Sequence, residues 1–297
     1  MKVPSFPDIC RKAPLTICPL LGVGGKGIEP QCYSRNFELG ETILFEFAAI
    51  VVYLAAIVMG VIMVYHVNMK YTAVGRKEMA IFFYLYMLAT VVEMLLVSGV
   101  ISPAFAVYPW MTAAHIGLIS ASIWALFLNG FIGFQFIEDS TPLSLWGIRW
   151  TSLLVFGVAY FISIGTTQEF FRFLSPTNSF PLWIMYFVLN GAMILIYFLL
   201  QIVLVFKTLD VRWPLGDIIL AAGFFGIGQA ALYFFSDPIC VYTNHYIDGV
   251  FFGVLCTLLS VMMVYKYWDS ITKEDLEFAV SSVNPIWEMK MSHKDLS

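Results

Sequence analysis

Charge is scarce in this chain of 297 residues. Only 12% of the residues are Asp, Glu, Lys or Arg, whereas 60% are hydrophobic and the mean hydropathy is +0.83. A soluble fold cannot cover that much apolar surface with so few charges, so the composition indicates an integral membrane protein in contact with a lipid bilayer. The net charge of −4 and the lack of a long basic tract give no reason to expect a nucleic-acid partner.

The sequence also lacks the groupings of residues that catalysis requires. It has four histidines, and only His115 and His245 fall on the same predicted side of the membrane, whereas a catalytic zinc normally takes three protein ligands. No serine or cysteine stands in a nucleophile elbow, and no glycine loop suits a phosphate. A retinal protein needs a lysine inside its last span, but Lys266 comes only at the end of that span. We therefore expect no enzymatic activity, no metal and no cofactor.

Long apolar runs are the main feature that the sequence does have. A helix needs about 20 mostly apolar residues to cross a bilayer. The rest of the chain divides into an N-terminal tail, residues 1–41, and an acidic C-terminal tail, residues 266–297. The runs predict an all-α bundle of seven transmembrane helices, with spans at residues 42–65, 79–101, 110–134, 150–166, 181–206, 218–235 and 247–265.

An odd number of spans places the two termini on opposite sides of the membrane. Ten of the sixteen Lys and Arg residues lie in the first, third and fifth loops and in the C-terminal tail. Since basic loops stay in the cytosol, we expect a cytosolic C-terminus and a lumenal or exoplasmic N-terminus. Five basic residues in the N-terminal tail oppose this orientation, although Glu29, Glu38 and Glu41 lie among them.

Four of the five cysteines share the side that is predicted to be oxidising, and Cys256 lies inside a span. Four cysteines allow three pairings, and the sequence does not choose among them. We expect two disulfides, because a short polar segment gains much from a covalent staple, and the alternative is that the thiols stay reduced. The candidates are Cys10, Cys18, Cys32 and Cys240.

Four ionisable residues interrupt the predicted spans: Glu46, Glu93, His115 and Asp248. No Lys or Arg lies within a span to pair with Glu93, so His115 on the next helix is its expected neighbour. Two interpretations stay open, a proton or ligand site and ordinary hydrogen bonding between helices. Asp248 falls in the first turn of the seventh span, where a carboxylate complements the positive end of a helix, so a collar position is favoured over a buried functional acid.

Small residues recur at close spacing along the last two predicted spans. Such spacing lets helix backbones approach closely, either inside the bundle or against another membrane protein. The candidates for helix packing or contact with a partner are Ala222, Gly226 and Ala230 in the sixth span and Gly249 and Gly253 in the seventh.

The C-terminal tail contains a short acidic pattern. Asp275, Leu276 and Glu277 resemble the di-acidic signals that load cargo into vesicles leaving the endoplasmic reticulum. A pattern of three residues is also common in solvated tails, so both interpretations stay open. The final Lys-Asp-Leu-Ser matches neither a lysine-based retrieval signal nor a lumenal retention tetrapeptide.

Several blocks of sequence resemble the fungal chitin synthase export chaperones, and they follow one another in order over nearly the whole chain. The blocks are Asp8-Ile9-Cys10 with Pro14-Leu15 and Cys18, Cys32-Tyr33-Ser34-Arg35, KYTAVGRKE from Lys70, GFQFIED from Gly133, HYIDGVFFGVLC from His245, MMVYKYWD from Met262 and DLEF from Asp275.

The resemblance implies a non-enzymatic, multi-pass protein of the endoplasmic reticulum membrane. It would bind a chitin synthase, prevent its aggregation and enable its transport to the plasma membrane, in some cases travelling with it and supporting synthesis of cell-wall chitin. The last two spans and the segment from Lys266 to Phe278 are then the expected elements for client contact or for sorting by vesicle-coat machinery.

Two alternatives belong to other functional classes. A seven-transmembrane receptor would form a ligand pocket from the exoplasmic polar residues, but the sequence has no Asp-Arg-Tyr after the third span and no Asn-Pro-x-x-Tyr in the seventh. A proton-coupled transporter would use Glu93 and His115, and it would lose transport on Glu93→Gln.

Overall fold

Seven helices that are long and apolar enough to cross a membrane form the body of a computed structural model of the chain. This confirms the expected helical fold with seven long apolar helices. The structure describes residues 6–22, 27–34, 36–39, 42–71, 73–134, 141–170, 174–176, 178–208 and 212–281. The seven helices are α2 (Phe47–Met69), α3 (Arg76–Val97), α4 (Tyr108–Ile132), α5 (Pro142–Thr167), the continuous pair α6 (Phe180–Trp183) and α7 (Asn190–Thr208), α8 (Pro214–Tyr233) and α10 (Gly249–Ser281).

Short elements fill the segments between the long helices. Helix α1 (Phe6–Cys10) lies near the start of the chain, and α9 (Ser236–Tyr242) connects α8 to α10. Strands β1 (Phe37–Leu39) and β2 (Thr42–Leu44) form an antiparallel hairpin. Because this hairpin takes up the first residues of the apolar run from residue 42, α2 begins only at Phe47.

Helix α5 begins at Pro142, earlier than the apolar run from residue 150 indicates. The sequence has the chemistry of a helix start there, since the Thr141 hydroxyl accepts a hydrogen bond from the Ser144 N–H at 3.2 Å. Proline at the first helical position adds a backbone that is already restricted to helical φ. The predicted start at residue 150 was too late, because the polar residues of this first part, Arg149 among them, lower its hydropathy.

Six of the seven long helices form a closed ring. Helices α2, α3, α4, α7, α8 and α10 contact one another in that order, and α10 closes the ring against α2. Helix α5 packs chiefly against the outer side of α4. The ring leaves an interior space that six helices surround and α5 does not reach.

The fifth membrane helix contains a π-helical segment next to the interior space of the ring. Residues Ile184–Leu189 form a π-helical segment that joins α6 to α7 without a break. Segments of this kind often mark functional sites, because the wider turn displaces side chains from the regular helical positions. Here Tyr186 and Phe187 from the π segment line the interior space.

The bundle has two distinct ends. The disulfide end carries the bridges Cys10–Cys18 and Cys32–Cys240. The opposite end carries an ion pair between Lys70 and Asp269. There the indole N–H of Trp268 also donates to the carbonyl oxygen of Val74 at 3.0 Å, so the loop after α2 is held against α10.

Candidate functional site: a capped cavity inside the helix ring

The N-terminal segment, residues 6–21, forms a cap over the disulfide end of the ring. Phe6, Cys10, Ile17, Cys18 and Leu21 are buried against side chains of α4 and of the α6 region. Burying these apolar groups stabilises the cap, because each fully buried large side chain contributes about 1.5–3 kcal/mol. The Cys10–Cys18 bridge, with a Cα–Cα separation of 5.5 Å, closes the cap into a compact loop.

Polar contacts connect this cap to α4. The Tyr108 hydroxyl donates to the carbonyl oxygen of Thr16 at 2.7 Å. The Thr16 hydroxyl lies 3.3 Å from Nδ1 of His115. Both bonds cross about one hundred residues of sequence, so they hold the N-terminal segment over the interior of the ring.

A second bridge connects the chain after the cap to the loop before α10. Cys32 and Cys240 are disulfide-bonded with a Cα–Cα separation of 6.1 Å. Nδ1 of His245 lies 3.2 Å from Sγ of Cys32 and 2.9 Å from the carbonyl oxygen of Tyr33, to which the ring N–H donates. Cys32, Cys240 and His245 also have the spacing of metal ligands, but disulfide sulfurs are not the thiolates that bind zinc.

Two buried carboxyl groups meet beside this bridge, each one residue before a membrane helix. The Glu46 and Asp248 side chains lie close enough to interact, and both are almost fully buried. Oδ1 of Asp248 accepts hydrogen bonds from the N–H groups of Val250 and Phe251 at 3.1 and 3.3 Å, which is how a helix N-cap binds. Asp248 therefore caps the first turn of α10, but it is buried rather than open to water.

The environment of the pair favours a protonated acid. Burial, followed by the negative charge of Asp248, raises the pKa of the Glu46 carboxyl well above its ordinary value. Burial also raises the pKa of Asp248, although the hydrogen bonds from Phe251 and Val250 oppose that shift. Since two carboxylates in contact repel, the pair is stable as one that shares a proton.

Replacing Glu46 by Gln should stabilise the protein at neutral pH. The folded pKa of Glu46 lies above the unfolded one, so the folded state loses stability as the pH rises from about 4.3 towards the folded pKa. An amide resembles the protonated acid and does not titrate. We expect Glu46→Gln to unfold at a higher temperature than the wild type at pH 7.5 and at nearly the same temperature at pH 4.

Thermal unfolding in detergent across this pH range measures the effect. Glu29→Gln provides the control, because Glu29 is an exposed acid of the same N-terminal region and should show no such trend. A difference between wild type and Glu46→Gln that stays constant with pH would contradict the shared-proton arrangement.

The interior space of the ring is a cavity of about 380 Å³. Its mouth is covered by Pro14, Leu15 and Thr16 of the cap. A volume of this size is within the range of small-molecule sites in proteins, about 300–1,000 Å³. Its polar lining includes Glu93, His115, Asn190 and Gln229 with the phenols of Tyr53, Tyr186 and Tyr233. Further polar side chains of the lining are Thr16, Tyr86, Thr90, Ser122, Thr257 and Ser260.

Glu93 and His115 face each other in this cavity, as the sequence led us to expect. Nε2 of His115 lies 3.7 Å from a carboxylate oxygen of Glu93. The Glu93 side chain is 32% exposed, although it lies in the interior of the ring, whereas that of His115 is 4% exposed. The Glu93 carboxyl group is thus open to the cavity.

Sequence reasoning missed the tyrosines around this acid. Tyr53, Tyr186 and Tyr233 interact electrostatically with Glu93, and Tyr186 also interacts with Tyr233. A signal was present only for Tyr53, which interrupts the apolar run of residues 42–65 near its middle, whereas Tyr233 is the last residue of α8 and has the position of an ordinary interface tyrosine.

The small residues of the last two spans have two different environments. A Cβ atom added to Gly249 would lie 2.5 Å from Cβ of Ser236, and one added to Gly253 would lie 3.5 Å from Cβ of Leu232. Both glycines therefore pack inside the bundle, where α10 meets the α8 and α9 region. Gly226 differs, because a Cβ atom there meets nothing within 4 Å.

Gly226 belongs to an uncovered stripe on α8, which we name the α8 face. The stripe combines glycines with exposed aliphatic side chains at the repeat of a single helix face. Of the other small residues in the sixth span, Ala222 and Ala230 are half-buried beside it. The α8 face consists of Gly216, Ile219, Leu220, Gly223, Gly226 and Ile227.

Helix α10 continues past the membrane-length part, which ends at Thr272, to Ser281. Asp275, Leu276 and Glu277 lie in this extension, where the structure describes the backbone only. Residues 282–297 of the predicted tail lie outside the described residues. Next to the extension, Nζ of Lys266 lies 3.0 Å from Oδ1 of the buried Asp217, so α8 and α10 are also joined at the opposite end.

Comparison with known proteins gives one consistent result. The sequence model of the family described as "Chitin synthase export chaperone" matches residues 2–282. Relatives with that same name are 48% identical in Fusarium oxysporum f. sp. lycopersici, over 96% of this chain and 86% of the relative, and 49% identical in Cryptococcus neoformans var. neoformans serotype D, over 97% and 80%. A relative of that name from Neurospora crassa is 48% identical over 97% of this chain and 82% of its own. No solved structure matches the chain.

Proposed function

Because the chain belongs to the family of chitin synthase export chaperones, we propose that it binds a chitin synthase in the endoplasmic reticulum membrane, prevents its aggregation and enables its transport to the plasma membrane. The observation that carries this proposal is the extent of the match, which includes all seven membrane helices and the four bridged cysteines. The role is non-enzymatic, and the client is another multispanning membrane protein.

The orientation follows from the chemistry of the two ends. Disulfides form in an oxidising compartment, so the disulfide end faces the lumen. The opposite end carries the basic loops and faces the cytosol, in agreement with the positive-inside rule. The extension of α10 with Asp275, Leu276 and Glu277 is then available to vesicle-coat machinery.

The α8 face is the surface that we assign to the client. Helices associate in lipid mainly through close packing, and glycines let two backbones approach. A Cβ atom built on a glycine of the α8 face meets nothing within 4 Å among the described residues, whereas Gly228 on the other side of α8 packs against Cys256 of α10. A helix of an incomplete synthase can use that groove until the synthase reaches the plasma membrane.

The localisation of tagged chitin synthases in the fungus that encodes this chain tests the function. With the gene deleted, we expect at least one synthase to be retained in the endoplasmic reticulum and cell-wall chitin to fall. Re-expression of the chain should restore surface delivery, and an unrelated multispanning protein should reach the surface in both strains. Normal delivery of every synthase with normal chitin would overturn the proposal.

A further inference from the structure

The cavity inside the ring is long, narrow and graded in polarity. Its wall on α10 extends from Val250 to Val264, which corresponds to about 20 Å at a rise of 1.5 Å per residue. The end under the cap holds the polar groups around Glu93, while the deep end is lined mainly by apolar side chains such as Phe82, Leu126 and Phe198. The hydroxyls of Thr257 and Ser260 in this deeper part donate to backbone carbonyl oxygens. A molecule that fits this space has a small polar head and a single extended apolar tail.

The polar end presents two hydrogen-bond acceptors to the cavity. Glu93 presents a carboxylate to the cavity, and the buried Oδ1 of Asn190 has no hydrogen-bond partner among the residues that the structure describes. Asn190 is itself only 3% exposed, and its amide nitrogen donates to Ser120 at 3.2 Å, which fixes the oxygen. No Lys or Arg of the described residues lines the cavity. An unpaired buried acceptor is costly, so a donor at Oδ1 of Asn190 is favourable. The hydroxyl of Tyr53 and Nε2 of His115 are also buried in this lining without a hydrogen-bond partner among the described residues, so the site has room for a polar head that bonds to several groups.

Aromatic rings add a preference for positive charge. Tyr53, Tyr186 and Tyr233 line the cavity together with Glu93, and aromatic rings attract cations. A primary ammonium group has three N–H donors and a positive charge, which suit a carboxylate and an amide oxygen at once. A carboxylate or phosphate head would instead meet Glu93 with like charge.

We propose that this cavity binds a single-chain amphiphile with a primary amine head, held at Glu93 and Asn190, with its tail extending along α10 towards Val264. This site goes beyond the export function and is independent of the α8 face. The cap, held by Thr16 on His115, covers the head of the bound molecule.

Binding of radiolabelled dodecylamine to the full chain in phosphatidylcholine nanodiscs tests the site. Empty nanodiscs supply the correction for partition into lipid. We expect saturable binding, displacement by alkylamines with an affinity that rises up to about fourfold per added methylene, and no displacement by dodecanoate. Glu93→Gln, which keeps the size of the side chain, should weaken binding by roughly tenfold to hundredfold.

The matched control is Asp217→Asn, which removes a buried carboxylate at the opposite end, outside the cavity. It should bind dodecylamine as the wild type does. The comparison of alkylamines with dodecanoate uses the wild type alone, so the test does not depend on the folding of Glu93→Gln. Binding of dodecanoate as tightly as the amine, no saturable binding of the amine, or unchanged binding in a folded Glu93→Gln variant would each overturn the proposal.

Discussion

Replacing Gly223 and Gly226 together by Leu should remove the chitin synthase from purifications of this protein. Each leucine fills a groove that a client helix would enter, and overpacking a close contact costs about 1–3 kcal/mol per site. Two such changes lower the association by at least about thirtyfold. The variant itself should fold, because a Cβ atom at either glycine meets nothing within 4 Å and leucine is the better helix former.

Gly157→Leu is the matched control for the α8 face. Gly157 is an exposed glycine of α5, and a Cβ atom there also meets nothing within 4 Å. The same substitution therefore enters the same kind of lipid-facing site on another helix and should leave the client bound. Equal recovery of synthase with the α8 double variant and with Gly157→Leu would place the client contact on another surface.

The α8 face shows how far the sequence alone could go. Hydropathy located seven membrane helices, because apolar length is a local property of the chain. The spacing of small residues marked α8 and α10, but a spacing does not say which side of a helix is covered. Gly226 and Gly249 look alike in sequence, and only the packing of α10 against the α8 and α9 region separates a free glycine from an enclosed one.

The candidate site could be predicted only in part, because the sequence indicates the depth of a residue in the membrane but not its neighbours on distant helices. Glu93 and His115 could be paired from the sequence, since both lie at similar depth on consecutive helices. The contact between Glu46 and Asp248 joins residues two hundred positions apart, and no periodic pattern carries that information. The cavity depends on α5 lying outside the ring, which is a property of the whole bundle rather than of any span.

Cys32→Ser should lower the midpoint of thermal unfolding by roughly 5–15 °C. The Cys32–Cys240 bridge joins positions 208 residues apart, and loss of a native disulfide typically costs about 2–4 kcal/mol. The bridge also holds the chain beside His245 and next to the buried Glu46 and Asp248 pair. Its loss should therefore expose that pair to water as well as lengthen the free chain.

A double-mutant cycle of cysteine variants distinguishes the effect of losing the disulfide bond from the effect of changing each side chain. Cys240→Ser should match Cys32→Ser, and the double variant should be no less stable than either single one, because the first substitution already breaks the bond. Cys256→Ser is the control, since Cys256 is the unbridged, buried cysteine of α10. Cys10→Ser should have a smaller effect, because that bridge closes a loop with a sequence separation of only 8. Additive losses for Cys32→Ser and Cys240→Ser would show that the two residues do not act through one bond, and the assignment of the disulfide end to the lumen would lose its strongest support.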